Sequence, residues 1–72
     1  DQKDKNKFEN KTNTLLTYGG IWAMLAYELR GHYFYSTNEH EAALKNFSKI
    51  INNQQATTSI KNRAREMINN IN

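Results

Sequence analysis

The sequence predicts an all-α fold: an antiparallel hairpin of two helices, followed by a C-terminal helix that caps it. Three observations carry that reading. Between Trp22 and Ile51 apolar residues recur at three- and four-residue steps, the spacing of a helix face rather than the alternation of a strand. The pattern breaks at Ser36-Thr37-Asn38, whose short polar side chains compete for the backbone and favour a turn. After a second polar break at Asn52-Asn53-Gln54-Gln55, a third run resumes the periodicity with Ile60, Ala64, Met67, Ile68 and Ile71.

Residues 1–20 read as a polar N-terminal arm and lead-in. Up to Thr14, Phe8 is the only large apolar side chain, which suits a solvated arm. The alternative is a short helix over 4–11, with Phe8 docked on a neighbour. Leu15 and Leu16 are expected to fold back over the next helix, and Gly19-Gly20 marks an interruption. The helical unit proper spans 21–72, with helices at about 21–36, 39–53 and 58–71. In the first helix Trp22, Leu25, Ala26, Leu29, Tyr33 and Phe34 form the apolar face. In the second it is Ala43, Leu44, Phe47, Ile50 and Ile51. Ser36, Thr37 and Asn38 offer an N-cap for the second helix, and Glu39 and Glu41 suit the positive end of its dipole. Thr57, Thr58 and Ser59 offer the same for the third, whose Met67 and Ile68 are expected to meet Phe47 and Ile51.

Gly31 stands inside the first helix, where glycine costs about 0.5–1 kcal/mol relative to alanine. Close helix packing explains it best. Ala43, small again, lies on the second helix, with Phe47 one turn on. Small residues let two backbones approach, and an aromatic ring fills the space beside them. Gly31, Phe34, Ala43 and Phe47 in this order resemble the tetratricopeptide repeat, a 34-residue helix-turn-helix unit, with Tyr27 where that repeat often has Trp. Arg30 stands where the repeat usually has Leu, Ile50 where it has Ala, and no Pro closes the unit. The wider string from Trp22 to Gly31, with A-A-L-x-x-F-x-K-I after it, resembles the C-terminal repeat of the YfgM-like family of ancillary translocon subunits. The resemblance covers roughly residues 15–70. It implies a scaffold for protein or peptide partners, anchored in a bacterial inner membrane and facing the periplasm. It also implies that Glu28, His32, Tyr35 and Ser36, on one face of the first helix, line a concave partner surface. Trp22, Tyr27, Gly31, Phe34, Ala43 and Phe47 are the expected packing residues.

Length and composition narrow the alternatives. A chain of 72 residues makes at most one small domain, and one repeat cannot bury its own apolar face. Beginning with Asp rather than Met, it reads as part of a longer protein, or as a unit that associates with a second copy through apolar helix faces. There is no Cys, hence no disulfide and no Cys-ligated metal, and His32 and His40 lack the spacing of a metal pair. No metal and no cofactor are expected. The longest apolar-rich stretch, Ile21 to Ala26, is far short of the roughly 18 residues of a membrane span, so a membrane is reached only through a segment outside this sequence. The net charge of +3 is mild and its cations are scattered, so nucleic acid is not the expected partner. The alternative, a small basic helical nucleic-acid binder, would read with Lys61, Arg63 and Arg65 of the third helix. No enzyme is expected: Ser36, Ser48 and Ser59 lie in no nucleophile motif, and Glu28, Glu39, Glu41 and His40 read as exposed charges.

Overall fold

The computed structural model describes residues 2–72. Four helices follow one another: α1 (Gln2–Tyr18), α2 (Gly20–Ser36), α3 (His40–Ile51) and α4 (Thr58–Ile71), with no strand among the described residues. The all-α hairpin with a capping helix is therefore present, as α2, α3 and α4.

Residues 2–18 correct the expectation of a polar arm; Asp1 lies outside the described residues. They form a 17-residue helix that packs on α2. Lys, Glu and Gln accommodate a helix at little cost, and docking supplies what propensity lacks. Phe8, Thr12, Leu15 and Leu16 step along one face of α1 at helical spacing. The Phe8 ring stacks on Tyr33 of α2 at a centroid distance of 4.7 Å. Thr12 is only 1% exposed, and its hydroxyl donates to the Phe8 and Glu9 carbonyls of its own helix. The same oxygen accepts from Arg30 Nε at 2.7 Å, while Arg30 Nη2 donates to Asn13 Oδ1 at 2.6 Å. Arg30 thus clamps α1 to α2.

Gly19 alone separates α1 from α2. Its φ of 72° and the 54° of Gly20 lie in the left-handed region, where a Cβ would clash with the following carbonyl. The corner is closed by the Gly19 amide, which donates to the Leu16 carbonyl at 3.1 Å.

The Ser36-Thr37-Asn38 turn works differently from its sequence reading. It finishes α2 rather than starting α3. Asn38 takes a left-handed φ of 62°, its amide donates to the Tyr35 carbonyl, and the Glu39 amide reaches back to the Phe34 carbonyl at 2.8 Å. That is a Schellman ending, with Asn in the position glycine usually takes. The Thr37 hydroxyl donates to the Phe34 carbonyl and to Glu39 Oε2. The N-cap position of α3 falls to Glu39, which makes no side-chain cap hydrogen bond. At α4 the expectation holds: Thr57 in extended backbone accepts from the Ile60 amide at 3.2 Å. Between α3 and α4 the Asn53 side chain accepts from the Gln55 amide at 2.8 Å, an Asx turn.

The packing of α2 on α3 is organised by Gly31 and Phe47. A Cβ built on Gly31 would stand 2.5 Å from Phe47 Cζ and 2.6 Å from Cε1, so the ring lies against the bare Cα. Phe47, Ala43 and Ile50 are completely buried, and Ala23, Met24, Ala56 and Ala64 complete the core. Around it pack Tyr27 and Phe34 from α2, Ile51 from α3, and Ile60, Met67, Ile68 and Ile71 from α4. Trp22 is a correction: expected in the core, it is 53% exposed, and Leu25 and Leu29 of the same expected face are 39% and 40% exposed. The residues of α2 that face inward are Ala23, Met24, Ala26 and Gly31. At Gly31 only glycine fits, because the Phe47 ring of α3 occupies the place of a Cβ, whereas Met24 is a large side chain and 1% exposed.

The result is a thin layer, 34 × 30 × 14 Å. Each helix packs chiefly on its neighbour in sequence, and α2 and α4 touch only lightly. The exposed surface of 4988 Å² exceeds the about 4600 Å² expected of a compact monomer of this mass.

Candidate interaction face

The four residues assigned to a concave partner surface do share one face of α2, but each is engaged inside the chain. The Glu28 carboxylate is held by Arg63 of α4, with Nε to Oε2 at 2.8 Å and Nη2 to Oε1 at 3.3 Å. That hydrogen bond, and then the charge behind it, pushes the Arg63 guanidinium above its ordinary value. His32 sets its ring edge-on to Phe47 at 5.3 Å. Tyr35 stacks on His40 at the start of α3, at 5.8 Å. The Ser36 hydroxyl donates to the Tyr33 carbonyl at 2.7 Å. Glu28, His32 and Tyr35 thus tie α2 to α4 and α3, while the Ser36 bond stays within α2, and Glu28 still lines the groove beside α4. Arg63, one of the three cations of the nucleic-acid alternative, is taken up by this ion pair.

What the sequence reading missed is the apolar face beside them. Ile21 is 57% exposed and Tyr18 72%, and they join Trp22, Leu25 and Leu29 on the outside of the layer. Ile21, Leu25 and Leu29 repeat every fourth residue, so they form one continuous ridge along α2. On one flank, Trp22 borders a depression of about 340 Å³ with Leu15 and Tyr18 of α1. On the other, a groove of about 310 Å³ runs between Ile21, Met24 and Leu25 of α2 and Ile60 of α4, closed by the Glu28–Arg63 pair. A sequence signal for this face did exist. From Gly20 to Tyr27 the helix reads G-I-W-A-M-L-A-Y, apolar on every side, and a helix apolar all round is one covered all round.

No group of His, Asp and Glu able to hold a metal ion occurs among the described residues. No helix among them is long and apolar enough to cross a membrane. Comparison with protein-family models, with curated protein sequences and with solved structures returns no match.

Proposed function

We propose that this chain is a non-catalytic protein-interaction module of the tetratricopeptide kind, with α2 and α3 as its hairpin, and that its partner docks on the outer face of α2. The observation that carries this reading is the exposed apolar ridge. With Tyr18 and Trp22 it leaves on the order of 500 Å² of largely aromatic and aliphatic surface in water. That lies in the upper half of the largest patches on ordinary monomers, roughly 300–600 Å², on a chain of only 72 residues. The groove beside α4 adds shape to the ridge, and the Glu28–Arg63 pair gives it a polar edge. The narrower family resemblance adds a translocon-associated, inner-membrane setting to the proposal.

The test is site-specific photocrosslinking in the source cell. A photoreactive residue at Trp22 is expected to give a protein adduct, and one at Glu41, on the exposed start of α3, is not. No adduct from either position, or equal adducts from both, would refute the assignment of the face.

A further inference from the structure

We propose that the occupant of this face is a second copy of the chain, joined across a two-fold axis by α2 packing on α2; this rests on the interaction-face reading above. The argument starts from the ridge. Ile21, Leu25 and Leu29 lie at successive fourth positions, and a ridge of that kind fits the groove beside an identical ridge at about −50°. Such a crossing is self-complementary. With Leu25 on the axis, Ile21 of one copy meets Leu29 of the other, which an isologous interface requires. Charge permits it as well. The one carboxylate and the one guanidinium that border the groove neutralise each other within a single copy. Two identical faces therefore meet without burying an unpaired charge or opposing like charges. Area supports the same occupant. The apolar side chains supply about 500 Å² from each copy, so two copies together bury about 1,000 Å², the lower bound of a specific interface. The axis leaves Tyr18 and Trp22 to flank the crossing, where exposed aromatics commonly anchor an interface.

The absence of cysteine allows a direct test. Sedimentation equilibrium of the chain is expected to show a twofold mass increase, with a dissociation constant of roughly 1–100 μM. Leu25→Glu and Leu25→Lys are each expected to be monomeric with unchanged helical circular dichroism, because the side chain they replace is 39% exposed. An equimolar mixture of the two should dimerise again, since residue 25 faces its own counterpart on the axis. Under mild oxidation Leu25→Cys should form an intermolecular disulfide at least tenfold faster than Glu41→Cys. A wild-type chain that stays monomeric at about 1 mM overturns the proposal. So does a Leu25→Cys rate equal to that of Glu41→Cys. In either case an adduct from Trp22 to a different protein leaves the interaction face standing with another occupant, while no adduct removes both.

Discussion

Replacing Gly31 by alanine tests the contact on which the hairpin is built. The new methyl would sit 2.5, 2.6 and 2.8 Å from three atoms of the Phe47 ring, where carbon atoms prefer roughly 3.5–4.0 Å. The ring must therefore retreat by about an ångström. It is completely buried, with His32 edge-on beside it, so it has no solvent to swing into. Overpacking of this kind costs about 1–3 kcal/mol. Against it stands the gain of putting alanine in a helix interior, about 0.5–1 kcal/mol. At the midpoints of those ranges the balance is a loss of about 1 kcal/mol, from a total of roughly 4–11 kcal/mol for a chain this long. At ~4–8 °C per kcal/mol, the melting temperature followed by circular dichroism should fall by about 4–8 °C. The cause is isolated by repeating Gly31→Ala in a Phe47→Leu background. Leucine lacks the outer ring atoms, so there the alanine should cost little, with a coupling of about 1 kcal/mol or more between the two changes. A melting temperature unchanged or raised by Gly31→Ala would refute the reasoning. So would a penalty that persists when the ring is gone.

Three further outcomes are expected. Arg30→Leu removes the donors to Thr12 and Asn13; a loss of about 1–3 kcal/mol should appear as faster amide exchange in α1 ahead of α3. Thr57→Ala removes the cap of α4 and should cost about 0.5–2 kcal/mol, with fraying of the first turn seen by amide exchange. Glu28→Gln should lower the melting temperature slightly at low salt and not at high salt, since the Arg63 end of the pair is exposed. Because the pair raises the Arg63 value, its contribution is fully present below the ordinary arginine range and lost only at higher pH; the difference between wild type and Glu28→Gln should stay constant from about pH 7 to 10.

The hairpin was legible because its signals agree. Phe47 and Ile50 recur at helical spacing, the polar break falls between the helices, and Gly31 is costly unless something packs on it. Helix α1 was legible only as the alternative of a short helix over 4–11 with Phe8 docked on a neighbour; its full 17 residues were not, because its helicity depends on a partner. Taken alone, residues 2–14 offer one large apolar side chain, and the two docking contacts, Phe8 on Tyr33 and Arg30 on Thr12, join residues 25 and 18 positions apart. The role of Ser36-Thr37-Asn38 was misjudged because the same side chains that cap a helix start also suit a left-handed helix end; the φ of 62° at Asn38 decides between them. The candidate face was hidden for a different reason. In a helix apolar all round, periodicity cannot say which side is inside. The Gly31–Phe47 contact can: Ala23 and Ala26 lie on the side it buries, and so does the large side chain of Met24.

The choice of buried side bears on the interaction face itself. Burial stabilises by roughly 25 cal/mol per Å² of apolar surface, so an isolated layer would gain more by turning Ile21, Trp22, Leu25 and Leu29 inward. Rotating α2 by half a turn would do so, but it would carry Gly31 away from Phe47 and set large side chains where α3 now approaches the bare Cα. The close crossing and the outward ridge are therefore two sides of one choice of rotation. A sequence that fixes this rotation with a glycine in mid-helix, at a cost to that helix, keeps its large apolar residues on the outside. The proposed docking on the ridge would complete that burial, which is why the ridge of α2, rather than the polar residues beside it, carries the proposal.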